Sequence, residues 1–130
     1  MEIEIFTLCD FAQDYGGKLT IIGTFDTIGA AAFPHLHPAC SITARIRFDK
    51  AEAGKHTLEL LIVDQDGRQL VPPLKGDLNV AMPPAADFAC VNFCITLSQL
   101  RFEKEGRYSV DLVMDGERRR SLPVFVRRRP

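Results

Sequence analysis

No stretch of this 130-residue chain approaches the roughly 18 consecutive apolar residues that would suggest a membrane span. An excess of one charge is missing too. Sixteen basic and 17 acidic residues leave a formal net charge of −1, which argues against nucleic-acid binding by the domain as a whole. Repeats, low-complexity tracts and linkers are absent, so a single domain over residues 1–130 is expected. A chain of this length can bury enough surface to need no disulfide or metal staple. The acidic, alternating start Met1-Glu2-Ile3-Glu4-Ile5 lacks the pattern of a secretory signal, which predicts a cytoplasmic setting. Catalytic signatures are missing as well. There is no Gly-x-Ser-x-Gly elbow, no phosphate loop and no motif tying any of the three histidines to a nucleophile. No cofactor is expected.

What is present is alternation of period two, the mark of half-buried strands. From Ser41 to Asp49, Ile42, Ala44, Ile46 and Phe48 fall on one face and Thr43, Arg45, Arg47 and Asp49 on the other. Residues 2–12 alternate with apolar side chains on both faces, and Lys18 to Ile28 reads as the next strand. Tyr15-Gly16-Gly17-Lys18 makes the hairpin turn between them, since glycine takes positive φ at no steric cost. Further strands are predicted over His56–Asp64, Arg68–Val71, Phe88–Leu97, Tyr108–Met114 and Arg119–Val126. Pro72-Pro73 and Pro83-Pro84 bracket an edge strand over Leu74–Met82. No apolar stripe at helical spacing exceeds one turn, and Ser98–Arg101 is the only candidate for even that.

Gly106-x-Tyr108, at the start of the penultimate predicted strand, has the form of a tyrosine corner, in which the phenol bonds back to the preceding turn. An Asp115-Gly116 hairpin follows it, as that topology requires. The expected fold is an all-β, immunoglobulin-like antiparallel sandwich of seven to nine strands.

Candidate sites are few. Cys90 and Cys94 share a strand face about 13 Å apart, too far for a disulfide, and no Cys-x-x-Cys occurs, so buried structural thiols are expected. His35, His37 and Cys40 could offer three zinc ligands from one proline-fixed loop, but their spacing matches no metal motif. Asp64-x-Asp66-Gly67 echoes a calcium loop and is equally well read as a turn. Arg118, Arg119, Arg120, Arg127, Arg128 and Arg129 bracket the last strand, where they either guard a sheet edge or meet an acidic protein partner. Pro123 within that strand favours an edge position. The uncharged face Cys90, Asn92, Cys94 and Thr96 suits burial beneath a neighbouring loop or against a second subunit. The first thirty residues carry one base and five acids and the last thirty nine bases and five acids, so the neutral total averages two opposed ends.

Cys9-Asp10-Phe11-Ala12, Gly17-Lys18-Leu19-Thr20-Ile21-Ile22-Gly23-Thr24-Phe25-Asp26 and Phe33-Pro34 with His37-Pro38 together resemble a bacterial domain-of-unknown-function family of single-domain β-sandwich proteins. Asp64-x-Asp66-Gly67 and Gly106-x-Tyr108 with Leu112, Asp115-Gly116 and Pro123 also fit its pattern. The resemblance implies a bacterial, cytoplasmic β-sandwich and carries over no catalytic residue. The expected function is a non-enzymatic binding or assembly module, acting through sheet edges, loops or the uncharged strand face. Two alternatives are a small metal-dependent site at His35–Cys40 and recognition of an acidic partner by the C-terminal arginines.

Overall fold

The computed structural model describes residues 1–130. Nine strands form: β1 (Glu2–Tyr15), β2 (Lys18–Thr24), β3 (Thr27–Ala30), β4 (His35–Asp49), β5 (Gly54–Val63), β6 (Leu74–Val80), β7 (Phe88–Phe102), β8 (Gly106–Met114) and β9 (Glu117–Arg128). They make two packed sheets, β2-β1-β4-β7 and β3-β9-β8-β5-β6, so the chain is an all-β sandwich. Every pairing is antiparallel except that of β3 with β9.

The core follows from the alternation. Ile42, Ala44, Ile46 and Phe48 on β4 are fully buried, and Leu60, Leu112, Met114 and Val126 answer them from the second sheet. Tyr108 is buried among them, its hydroxyl donating to the Lys104 carbonyl at 2.6 Å and its ring edge-on to Phe102. Gly106-x-Tyr108 therefore does form a corner, because the phenol satisfies a turn carbonyl four residues upstream. The final hairpin turns on Asp115 and Gly116, both at positive φ, as an Asp-Gly turn demands.

Four expectations need correction. Lys18–Ile28 is two strands: β2 stays with β1 as far as Thr24, and the chain then crosses at Phe25-Asp26 to pair Thr27 with Phe125 in the other sheet. The His35–Cys40 segment is not a loop but the first part of β4, paired with β7. Pro38 is tolerated there because β1 reaches only as far as Ser41 along β4, leaving that side of Pro38 without a neighbour. Opposite it, Gln99 takes φ +55°, so Ser98–Arg101 is an irregularity within β7 and not a helical turn. Arg68–Val71 contributes one bridge, Gln69 to Val63, and no strand.

Pro123 lies in β9, which carries β8 on one side and β3 on the other. The Phe125 and Arg129 amides donate toward β3, to Asp26 and Ala30, and by alternation Pro123 would face the same way. β3 begins opposite Phe125, so the missing N–H falls on the uncovered half of β9.

Replacing Tyr108 by phenylalanine removes the corner bond and leaves the packing in place. We expect a loss of about 1 kcal/mol in urea unfolding, with an unchanged denaturant slope.

Candidate functional site

The β1–β2 hairpin decides what the outer face of the four-stranded sheet can do. Tyr15 is ten residues from Ile5, about 33 Å along a straight strand. Yet the hairpin tip touches Arg45, the residue opposite Ile5: the Gly17 carbonyl accepts from Arg45 at 3.3 Å and from the Asn92 amide at 3.1 Å. The arm must therefore bend after Cys9 and fold back across the sheet. Gly23 lies in the bend at φ +70°, where a β-carbon would sit 2.5 Å from an Asp10 carboxylate oxygen.

Beneath the arm, Cys9, Ser41 and Thr43 are at most 2% exposed although they face away from the core. The Thr43 hydroxyl donates to the Phe93 carbonyl at 2.8 Å and lies 3.3 Å from the Cys94 sulfur. Of the uncharged β7 face, Cys90, Asn92 and Cys94 are half-buried and Thr96 alone is exposed. Asn92 is occupied by the hairpin turn, so the covering element of that face is part of the chain itself. The arm presents Phe11, Tyr15 and Ile22 outward, each about half exposed.

The edge of β7 has no such cover. β7 pairs with β4 alone, so its other side presents unpaired backbone groups. Phe88 to Leu100 is thirteen residues without a charge or a proline. The remaining edges are guarded as sheet edges usually are. β3 has four residues, β6 carries Lys75 and Asp77 between two proline pairs, and β2 has Lys18 at one end and the Gly23 bend at the other.

All four cysteines are free thiols. Burial raises the pKa of the Cys9 thiol and pushes that of Cys40 up to about 11, which makes both poor nucleophiles. His35 and His37 have ring centroids 6.0 Å apart, and the Nε2 atom of each is buried without a partner. Burial, then the neighbouring His35, lowers the pKa of His37, favouring the neutral ring. No group of three or more His, Cys, Asp or Glu side chains is arranged to hold a metal ion, so His35, His37 and Cys40 are not brought together as a ligand set. In the Asp64 turn, Asp64 Oδ1 accepts from the Asp66 and Arg68 amides at 2.9 Å, which accounts for the acidic pattern as turn chemistry.

The six arginines do not form one patch. Arg118–Arg120 and Arg127–Arg129 lie at opposite ends of β9, about 30 Å apart. Arg120 bonds the Ile3 carbonyl across the sandwich at 3.0 Å, Arg118 lies 3.6 Å from the buried Asp111, and Arg119 pairs with Glu117. Arg127 and Arg128 lie over the rings of Phe125 and Phe33, and Arg129 packs on Gly29. At the acidic end, Glu4 pairs with Arg45 and Arg47. Glu4, Arg118 and Arg119 are thus paired locally, while the C-terminal arginines keep their charge against rings and backbone.

The matching family model spans residues 4–127, nearly the whole chain. The chain belongs to DUF6941, a family of unknown function. No curated protein matches it. Among solved structures, 95% of the chain aligns at 15% identity and a TM-score of 0.47 with a β-glucosidase from Listeria innocua in complex with isofagomine. The chain spans 16% of that protein's length. The likeness carries no functional argument.

One polar cluster of this DUF6941 member has no signature in the sequence. His56 Nδ1 lies 2.6 Å from an Asp115 carboxylate oxygen and Nε2 lies 2.6 Å from the Glu52 carbonyl, so both ring nitrogens have acceptors. The Glu52 carboxylate in turn holds the N-terminal ammonium at 2.7 and 2.8 Å. Only folding assembles residues 1, 52, 56 and 115.

The hydrogen bond to Asp115, then that to Glu52, raises the pKa of His56, and the same partnership with His56 lowers that of Asp115. A raised folded pKa makes the His56 contribution full below the unfolded value of about 6.5, with loss as pH climbs through the folded value. We expect wild type minus His56→Gln stability, measured by urea unfolding, to shrink as pH rises from about 6 to 9. A difference that stays flat over that range would contradict the assignment.

Proposed function

We propose that this DUF6941 member is a non-enzymatic binding or assembly module of immunoglobulin-like type, and that its docking element is the open edge of β7. One observation carries the reading: a fifteen-residue edge strand keeps a thirteen-residue uncharged stretch while every other edge is short, charged, bent or flanked by proline. An unguarded edge of this length is a template for strand addition, in which main-chain hydrogen bonds supply affinity and alternate side chains supply specificity. The tyrosine corner and the order β3-β9-β8-β5-β6 opposite β1-β4-β7 support the immunoglobulin-like description. Four unpaired thiols suit a reducing, cytoplasmic compartment.

Thr96 is exposed in the middle of the edge, and a lysine there is the usual natural guard against pairing. Thr96→Lys should leave the circular dichroism spectrum intact and weaken strand-mediated association roughly tenfold or more. Tagged wild-type and Thr96→Lys chains, compared for every association they make in a native-host extract and with themselves, provide the test. Equal association by both forms sinks the proposal.

A further inference from the structure

We propose that the corner where β3, β9 and β8 meet is a docking surface for an extended acidic protein segment, held by Arg107, Arg127 and Arg129 with Arg128 at the rim. This surface belongs to the other sheet from the β7 edge and does not depend on that edge being a docking element.

The chain has eleven arginines. Arg45, Arg47, Arg101, Arg118 and Arg119 are in ion pairs, and Arg120 donates to a carbonyl. Of the five left without such a partner, four are Arg107, Arg127, Arg128 and Arg129, and all four are exposed. Three of these lie together at the end of the sequence. Arg107 joins them only through the pairing of β8 with β9, which sets it directly opposite Phe125.

Alternation puts the cluster on one face. Tyr108, Val124, Val126 and Ile28 are buried in the core, so Arg107, Phe125, Arg127 and Gly29 face outward. The guanidinium carbons of Arg107 and Arg127 lie 5.7 and 5.5 Å from the centre of the Phe125 ring. Gly29 is opposite Arg127 on β3, and a β-carbon there would lie 2.8 Å from the Arg129 Cγ. The stem of Arg129 therefore fills the place where a side chain on β3 would stand. Three arginine side chains thus cover three adjacent strands, each about 5 Å from the next. Arg128 lies over Phe33, 5.3 Å from its ring centre.

Two acids are close by. Asp26 accepts from the Thr27 hydroxyl at 2.8 Å and Glu105 from the Arg128 amide at 2.9 Å, and neither ion-pairs with an arginine. Four positive charges against two leave the corner positive in a chain whose total is −1.

A ring positions a guanidinium without neutralising it, because it offers no carboxylate to pair with the charge. The N–H groups stay available to a carboxylate, which arginine binds through two parallel bonds. An extended segment turns alternate side chains the same way about 7 Å apart, so two or three acidic residues at alternate positions can reach the cluster together. β3 is the outermost strand of its sheet, so the cluster opens onto the sheet edge. A single-stranded nucleic acid would meet the same charges, but Phe125 and Phe33 already carry guanidinium groups and offer no open ring for a base. The chemistry favours a peptide.

The test is fluorescence anisotropy with a labelled octa-glutamate peptide, compared with octa-glutamine and an eight-nucleotide oligouridine. Wild type should bind octa-glutamate at least about tenfold tighter than octa-glutamine, and more weakly as salt rises from about 0.05 to 0.3 M. Arg127→Glu/Arg129→Glu should weaken binding roughly tenfold or more, and Arg107→Ala about threefold. Lys75→Glu/Arg119→Glu makes the same change in net charge at exposed positions toward the other end of this sheet. It should stay within about twofold of wild type. Circular dichroism confirms that each variant is folded.

Equal binding of octa-glutamate and octa-glutamine overturns the proposal. So does an equal loss in Lys75→Glu/Arg119→Glu, which would make the attraction one of overall charge. Tighter binding of the oligouridine than of octa-glutamate assigns the corner to nucleic acid and overturns the acidic segment. Thr96→Lys should bind the peptide as wild type does. A loss there as large as in Arg127→Glu/Arg129→Glu would move the binding to the β7 edge and overturn the site.

Discussion

Everything in the four-stranded sheet hangs on β4. It is hydrogen-bonded to β1 over Glu2–Cys9 on one side and to β7 over Phe88–Phe102 on the other. Its inward side chains Ile42, Ala44, Ile46 and Phe48 are fully buried against the second sheet. A strand buried on its core face and paired on both edges has one permitted register, because a slip of one residue would turn those four side chains to the outside. β7 inherits its position from β4, and so does the open side that β7 presents to solvent.

The outer face of β4 is nearly as closed as the inner one. A two-sheet sandwich normally leaves outward positions to water, and Ser41 and Thr43 have the polar side chains of such positions. Here the β1–β2 arm folds back and makes a third layer over them. Arg45 and Asn92 hold its tip through the Gly17 carbonyl. Small, uncharged side chains suit the resulting space, and buried hydroxyls are affordable because Thr43 has an acceptor in the Phe93 carbonyl. The outward-facing Phe11, Tyr15 and Ile22 belong to this added layer and not to the sandwich proper.

Much of the fold was legible because its signals are local. Alternation over Ser41–Asp49, the Tyr15–Lys18 turn, the Asp115-Gly116 turn and the Gly106-x-Tyr108 corner each involve residues close in sequence, and each formed as read. The misreadings share a different cause. Lys18–Ile28 keeps its strand character throughout, and only the competing partners β1 and β9 divide it at Phe25-Asp26. Pro38 looked like a loop marker, but a strand accepts proline wherever one side lacks a neighbour, and the length of β1 decides that. For the candidate residues, sequence supplied the uncharged character of β7, whereas its status as an edge came from sheet order.

By itself the sequence determined the all-β class, the positions of most strands and the identity of the core residues, since these depend on side-chain period and turn chemistry within short windows. Tertiary structure decided which strands are neighbours and which edges stay open. It dispersed the six arginines to the two ends of β9 and engaged most of them locally. It brought Met1, Glu52, His56 and Asp115 into one polar cluster. These are contacts between residues tens of positions apart, set by register and by the fold-back of one arm, and no local pattern of residues encodes them.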